Sequence, residues 1–130
     1  MFLLYGTQIE NVLPLVERGL DPTKAPHVGY YGKIMSLSES SWVADKYTDS
    51  LLYPRDKNLV MLIMRTSLKH AYWRLNDEHI PPSITKTYDA VVSGSKKGYR
   101  EFRIFKTKCC YPEFLVYYDR VRPNSFLLSL

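Results

Sequence analysis

The sequence predicts an α+β domain in which a mostly antiparallel β-sheet is accompanied by a few short helices. The length of 130 residues is that of one ordinary domain, so a single hydrophobic core must support the fold. Hydrophobic residues make up 45% of the chain and charged residues 24%, which is typical of a folded globular protein. Helical periodicity appears in two short segments, whereas about six or more segments have the composition of strands.

The first strand and the first helix are predicted in the N-terminal twenty residues. Residues 2–5 form a strand that ends at Gly6 and Thr7, where glycine permits a turn or a close backbone approach. A helix follows, because apolar residues recur at helical spacing and Gly19 stands where a helix would stop. Pro14 is compatible with that helix only near its first turn. The apolar positions are Ile9, Val12, Leu13, Val16 and Leu20.

Residues 21–32 are predicted to form a loop, because a proline or a glycine interrupts them every few residues. A connection of this length in a compact domain is often functional. Residues 34–37 then form a second strand, and residues 42–47 form a second helix that a preceding serine caps. The interrupting residues are Pro22, Pro26, Gly29 and Gly32, and the candidate caps are Ser38, Ser40 and Ser41.

The second half of the chain supplies the remaining strands. Residues 59–64 are apolar at every position, which predicts a strand buried on both faces in the middle of the sheet. Tyr111 and Pro112 are predicted to form the turn between the last two strands, and residues 66–88 are predicted to form a loop. Three further strands are expected, at residues 89–92, 101–106 and 113–118.

Positive charge is concentrated in the second part of the chain. Residues 51–130 carry fourteen basic and seven acidic side chains, whereas residues 1–50 carry four and six. Within residues 96–108 basic and aromatic side chains are interleaved, a pattern that suits contact with phosphate in a nucleic acid or a dinucleotide. The alternative is a solvated strand edge whose lysines discourage edge pairing, and charge alone leaves both open. The basic residues are Lys96, Lys97, Arg100, Arg103, Lys106 and Lys108, and the aromatic ones are Tyr99, Phe102 and Phe105.

The sequence predicts no metal site, no disulfide and no membrane segment. Cys109 and Cys110 are adjacent and the three histidines are scattered, so we expect reduced thiols and no metal. One cysteine is expected in the core and the other at the surface, because adjacent strand residues face opposite sides. The longest aliphatic run is too short to cross a bilayer, and the first residues lack the pattern of a signal peptide. We therefore expect an intracellular protein, cytoplasmic or nuclear.

Several short motifs follow one another along nearly the whole chain. They lie at residues 4–7, 17–21, 25–33, 36–47, 88–92, 100–105 and 110–118. In this order and spacing they resemble the catalytic domain of the poly(ADP-ribose) polymerases and the related diphtheria-toxin-like ADP-ribosyltransferases. The resemblance implies an ADP-ribosyltransferase-like fold with a split, mostly antiparallel sheet over residues 1–122. Residues 123–130 would then form a C-terminal tail.

The resemblance also implies roles for individual residues. Glu101 matches the carboxylate that stabilises the positive charge on the ribose as nicotinamide leaves. The residues alone favour a surface glutamate paired with Arg103 or Lys106, and only the resemblance reverses that order. Tyr47 matches the tyrosine that stacks on the nicotinamide ring, and Gly6 matches the glycine that holds the nicotinamide amide. The remaining candidates for binding NAD are Thr7, Tyr30, Tyr31 and Ala44.

Three pocket positions depart from the family pattern. Tyr5 stands where the family usually has a histidine, Ser36 where it has a second tyrosine, and Ala44 where it has a serine. With Glu101, Tyr5 and Ser36 complete the candidate catalytic set. The lost stacking face and hydrogen bonds predict NAD binding that is weaker by about a hundredfold.

The function implied by the resemblance is NAD-dependent ADP-ribosyl transfer. NAD is the substrate, no metal takes part, and a monomer transfers a single unit to a macromolecular acceptor, either protein or nucleic acid, or hydrolyses NAD. No membrane is involved. A second hypothesis is a catalytically degenerate domain that binds a protein or ADP-ribose. A third is a basic domain that binds nucleic acid through residues 96–108.

Overall fold

A computed structural model describes residues 1–18, 28–29, 32–33, 35–48, 55–75, 78–94 and 98–121. In this part of the chain there are two α-helices, α1 (Val12–Arg18) and α2 (Ser41–Asp45), and three short 3-10 helices at Ile9–Asn11, Pro82–Lys86 and Thr107–Cys109. The strands are β1 (Phe2–Thr7), β2 (Val28–Gly29), β3 (Gly32–Lys33), β4 (Met35–Ser38), β5 (Leu59–Thr66), β6 (Ala71–Arg74), β7 (Ala90–Gly94), β8 (Arg100–Ile104) and β9 (Cys110–Tyr118).

Seven of the strands form one mixed sheet in the order β6-β7-β8-β4-β1-β5-β9. Strands β6 and β7 run parallel, and every other neighbouring pair in the sheet is antiparallel. Strands β2 and β3 form a separate two-stranded ladder. The predicted class, α+β with a mostly antiparallel sheet and a few short helices, is confirmed.

The pairing between β1 and β4, here called the join, is short. Strand β1 pairs with β5 along its whole length, but the described ladder between β1 and β4 is the single pair of Leu4 and Ser38. One half of the sheet therefore contains β6, β7, β8 and β4, and the other half contains β1, β5 and β9. This join positions the candidate site.

One face of the sheet carries the main hydrophobic core. Alternation along β1 directs Leu3 and Tyr5 to this face, and the register with β5 sets Met64 and Leu62 opposite them. Phe102, 1% exposed, continues the core into the other half of the sheet. The core therefore crosses the join. Its members are Leu3, Tyr5, Met35, Leu37, Leu62, Met64, Ala90, Val92, Phe102 and Ile104.

The opposite face of the sheet is covered at two places. Helix α2 packs on β1 and β4 and contributes the buried side chains of Val43 and Ala44. The 3-10 helix at Pro82–Lys86 contributes Ile84, which forms a second buried cluster with Val91 of β7 and with Ile80. The charged side chains of Glu101 and Arg103 in β8 also lie on this face. Helix α2 lies over β4, the strand next to β8.

Two predictions about the sheet are wrong. Strand β5 lies next to the edge strand β9, and the middle position belongs to β4. Leu59 and Met61 are buried on one face of β5, and Leu62 is buried on the other. The apolar run of β5 therefore shows that both faces of the strand are covered, and it does not show that the strand lies in the middle of the sheet. Residues 66–88, predicted as a loop, contain β6, which pairs with β7. This strand has only four residues, which is too short for a clear alternation of apolar and polar residues.

Tyr111 and Pro112 do not form the predicted turn, because both lie within β9. The connection from β8 to β9 instead contains the 3-10 helix at Thr107–Cys109, and the antiparallel pairings between them give β8 and β9 the same direction in the sheet. An edge strand tolerates proline because it has an unpaired side, and a bulge also accommodates it. Here the pairing of β5 with β9 shifts register between Ile63 and Met64, next to Pro112.

Helix α1 confirms the first helix but buries little of its predicted apolar face. Val12 is buried and Leu15 packs against the main core. Ile9, Leu13 and Val16 are 37%, 65% and 50% exposed. The predicted stop at Gly19, most of the loop at residues 21–32 and the tail at 123–130 lie outside the described residues.

Cys109 and Cys110 are both half-buried, so the predicted division into one buried and one exposed thiol is wrong. Cys109 ends a 3-10 helix and Cys110 begins β9, so strand alternation does not apply to the pair. Cys110 packs against the main core, and burial raises the pKa of its thiol to about 11. Among the described helices, none has the length and apolar character needed to span a bilayer.

Candidate active site

A small open niche lies on the face of the sheet opposite the main core. Strands β1, β4 and β8 and the region of α2 supply its walls, and its cavity volume is about 30 Å³. This is close to the volume of one water molecule in the liquid, so the site is shallow. The lining residues are Leu4, Ser36, Leu37, Ser38, Val43, Ala44, Tyr47, Glu101 and Arg103.

Backbone pairing arranges the polar side chains of the niche in two rows. Ser38 lies opposite Glu101, and Ser36 lies opposite Arg103. Directly opposite residues on antiparallel strands share a face, with Cβ atoms about 5 Å apart. Leu4, opposite Ser38 across the join, extends the first row onto β1. The floor of the niche is therefore set by sheet register.

Glu101 is half-buried in this niche. Within the described part of the chain, its carboxylate makes neither a hydrogen bond nor an ion pair. The alternative of a structural ion pair is not observed: Lys106 pairs with Asp89, Nζ to Oδ1 at 3.1 Å. Arg103 shares the niche with Glu101 but forms no ion pair with it. Glu101 therefore lines the niche as a carboxylate without a protein partner among the described residues.

Serine hydroxyls flank Glu101 on both neighbouring strands. Ser93 of β7 lies opposite Glu101, and its Oγ is buried with no hydrogen-bond partner in the described structure. On the other side, the Oγ of Ser38 accepts a hydrogen bond from the backbone N–H of Ser40 at 3.0 Å. Buried hydroxyls normally have a partner, so the orphaned Ser93 is a second unsatisfied group beside the unpaired carboxylate.

Tyr47 follows α2 and lines the niche with a side chain that is 40% exposed. The end of α2 is held by Asp45, whose carboxylate accepts hydrogen bonds from the Arg120 Nε at 2.9 and 3.0 Å. Tyr118 also donates to this carboxylate. Burial, together with the hydrogen bond to Asp45, raises the pKa of Tyr118 to about 12. The network joins α2 to the end of β9 and fixes the wall that carries Tyr47.

Gly6 lies beneath α2. A Cβ atom at Gly6 would stand 1.7 Å from the carbonyl oxygen of Ala44 and 2.7 Å from its carbonyl carbon. No side chain fits there, so the absence of a Cβ lets the helix pack directly on β1. The carbonyl of Ala44 occupies the space next to the Gly6 backbone, and Ala44 itself is 3% exposed.

Tyr5 and Thr7 face away from the niche, because they alternate along β1 with Leu4 and Gly6. Tyr5 is 9% exposed and belongs to the main core. Burial raises the pKa of its phenol, and a hydrogen bond with Thr7 opposes that shift. Tyr5 and Glu101 thus lie on opposite faces of the sheet. The structure does not bring the predicted catalytic set together as a whole.

The aromatic residues of the basic segment hold the sheet together. Phe102 is in the main core, and Phe105 packs against the second buried cluster. Arg100 and Lys106 are each paired with an acidic residue. Residues 95–97 lie outside the described part of the chain. The rings of Phe102 and Phe105 are therefore not displayed for stacking on nucleic-acid bases.

Four of the predicted site residues line the niche together: Ser36, Ala44, Tyr47 and Glu101. Gly6 touches the niche only through Ala44, and Tyr30 and Tyr31 lie outside the described residues. Sequence reasoning did not assign Arg103, Ser38 or Ser93 to the active site, although it named Arg103 among the basic residues that suit contact with phosphate. Strand alternation already places Arg103 on the face of Glu101, whereas the two serines join the site only through the order and register of the strands.

Within the described part of the chain, no three His, Cys, Asp or Glu side chains are grouped so that they could hold a metal ion. No protein-family model matches the chain, and no curated protein matches it.

Proposed function

We propose that the chain is an NAD-dependent ADP-ribosyltransferase that attaches a single ADP-ribose unit to a macromolecule, with Glu101 as the catalytic carboxylate. The observation that carries the proposal is the half-buried Glu101 carboxylate, which has no partner among the described residues and shares a niche with Tyr47. The resemblance of the motif order to the ADP-ribosyltransferases supports the same chemistry.

The reaction needs an anion beside the ribose of NAD. The bond between the nicotinamide nitrogen and the anomeric carbon breaks, and its electron pair leaves with nicotinamide. Positive charge then develops on the ribose, and the Glu101 carboxylate stabilises it electrostatically. An oxygen or nitrogen of the acceptor bonds to the anomeric carbon and loses its proton to water. Attack by water instead of the acceptor hydrolyses NAD.

The other niche residues suit a nicotinamide riboside group. The ring of Tyr47, 40% exposed, supplies an apolar surface on which nicotinamide stacks, and Ser36 supplies a hydroxyl for a polar group of the donor. Tyr5 is left out of the proposed machinery because it faces the core. The short connection between β7 and β8 leaves little surface for a growing polymer, which favours transfer of a single unit.

A binding domain without catalysis is the second candidate. The position of Tyr5 in the main core and the cover of Ala44 over Gly6 favour it, because neither β1 residue then contributes to the niche. Such a domain binds NAD, ADP-ribose or a protein and leaves the glycosidic bond intact.

The test is the release of nicotinamide from NAD, with transfer followed by a radiolabel in the adenylate part. We expect Glu101→Gln to lower the rate about 100-fold or more, since one electrostatic stabiliser of the transition state is lost. The variant should keep the circular dichroism spectrum of the wild type. Glu10→Gln is the matched control, because Glu10 lies in an exposed ion pair away from the niche.

Equal release of nicotinamide by the wild type and Glu101→Gln contradicts the catalytic assignment. Saturable binding of NAD or ADP-ribose in calorimetry, without release of nicotinamide by the wild type, supports the binding domain. Failure to bind either compound contradicts the transferase and leaves the second candidate only as a protein-binding domain.

A further inference from the structure

Arg103 is the second charged residue of the niche. It lies two residues after Glu101 on β8, so both side chains are on the same face. It is half-buried, and its guanidinium makes no hydrogen bond or ion pair within the described structure. The two charges of the niche are close in sequence and on one face, yet they do not neutralise each other.

Arg103 differs in this respect from the other arginine side chains of the described structure. Each of those donates to a carboxylate or carbonyl oxygen of an acidic residue. They are Arg55, Arg65, Arg74, Arg100 and Arg120. A guanidinium has five N–H donors. In the described structure those of Arg103 have no acceptor, whereas each of the other described arginines has at least one.

The spacing along β8 fits one part of a dinucleotide. Two residues of a strand advance by about 7 Å, which is roughly the reach from the anomeric carbon of a ribose to the phosphate on its 5′ oxygen. A carboxylate at one end suits the developing cation. A guanidinium at the other end suits phosphate oxygens, which it binds through two parallel hydrogen bonds.

We propose that Arg103 binds the phosphate next to the nicotinamide ribose of NAD and so sets the position of the donor along β8. The inference rests on the proposed function, since it takes Glu101 to lie beside that ribose. Arg103 is then a binding residue that distinguishes phosphorylated donors from the bare nucleoside.

The experiment measures binding of nicotinamide riboside, nicotinamide mononucleotide and NAD by calorimetry. The proteins are the wild type, Arg103→Gln, Arg103→Lys and the control Lys108→Gln, which removes one positive charge from an exposed side chain outside the niche. We expect Arg103→Gln to weaken binding of the mononucleotide and NAD about 10- to 100-fold, and to leave the riboside unchanged. Arg103→Lys should recover part of the loss, and Lys108→Gln should bind like the wild type.

Several results would overturn the inference while the proposed function stands. These are NAD binding that Arg103→Gln leaves unchanged, an equal loss for the riboside and the mononucleotide, and equal losses in Arg103→Gln and Lys108→Gln. Weaker binding of a single-stranded oligonucleotide by Arg103→Gln, with unchanged binding of the mononucleotide, would assign the residue to nucleic-acid phosphate instead. A wild type that binds none of the three nicotinamide compounds overturns both proposals.

Discussion

At the scale of single residues, the two neighbours Tyr5 and Gly6 show how one strand serves both sides of a sheet. Tyr5 fills the main core, whereas Gly6 faces α2 and admits the carbonyl of Ala44. Both positions are explained by packing. The residue that packing does not explain is Glu101, because a carboxylate without a partner adds nothing to the stability of the folded chain.

Gly6→Ala is expected to destabilise the fold by about 3 kcal/mol, because the added Cβ overlaps the backbone of Ala44 and α2 must shift. Gly94→Ala is the control, since a Cβ at Gly94 meets nothing within 4 Å. Urea unfolding of both variants measures the difference. Equal stability of Gly6→Ala and Gly94→Ala would contradict the close packing of α2 on β1.

At the scale of elements, Asp89 joins the start of β7 to its neighbours. Its carboxylate accepts hydrogen bonds from the backbone N–H groups of Lys69 and His70, both at 3.0 Å, and pairs with Lys106. The hydrogen bond from His70, followed by that from Lys106, holds the pKa of Asp89 below its usual value. These contacts tie the segment before β6 and the end of β8 to β7, so the carboxylate fixes one half of the sheet.

The lowered pKa of Asp89 predicts how stability changes with pH. Its contribution is complete above the pKa of the unfolded chain, about 3.9, and it is lost as the pH falls through the lower folded value. The free energy of unfolding should therefore decline below about pH 4. Asp89→Asn should be less stable at pH 7 and decline less steeply. Urea unfolding from pH 2 to 7 tests this, with Glu17→Gln as the exposed control; parallel profiles for the wild type and Asp89→Asn would rule it out.

The contact between α2 and the end of β9 depends on Arg120. Besides the Asp45 carboxylate, Arg120 donates to the backbone carbonyl of Asp45 at 2.9 Å and to that of Arg55 at 3.2 Å. Arg120→Ala should cost about 2 kcal/mol, because it removes several hydrogen bonds to or from charged groups. The exposed pair of Arg55 and Glu10 provides the control, and Glu10→Ala should cost less than about 1 kcal/mol. Unfolding in urea compares the two, and similar losses would contradict the role of Arg120.

At the scale of the domain, the main core holds together the two halves of the sheet, which pair only weakly at the join. The described ladder between the two halves of the sheet is one residue pair, but Leu3 and Leu62 from one half pack in the same cluster as Val92 and Phe102 from the other. Separating the halves would expose this cluster to water. The niche can therefore occupy the join without dividing the domain.

A single cooperative unfolding transition is the expected consequence. Trp42 in α2 lies over the join, because α2 packs on both β1 and β4, whereas Trp73 lies in the edge strand β6; they are 54% and 55% exposed. Trp73→Phe and Trp42→Phe leave one fluorescent reporter at the join and one at the β6 edge. Their urea transitions should coincide with each other and with circular dichroism. A Trp42 transition that precedes the Trp73 transition would show that the join opens before the β6 edge unfolds.

Local periodicity in the sequence predicted the α+β class, both helices and the face of β8 that carries Glu101 and Arg103. It does so because side chains alternate along a strand whatever its neighbours are. The same periodicity did not detect β6, which has only four residues, and it misplaced β5, because an apolar run carries no information about the order of strands.

The residues that surround Glu101 could not be predicted from the sequence, because they come together only in the folded sheet. The order and register of β7, β8 and β4 set Ser93 and Ser38 on either side of it, and the join to β1 turned Tyr5 away from it. Register and strand order are chosen by packing between residues far apart in the chain, and a shift of one residue exchanges the two faces of a strand. Strand order and register therefore cannot be predicted from the local sequence of a single strand.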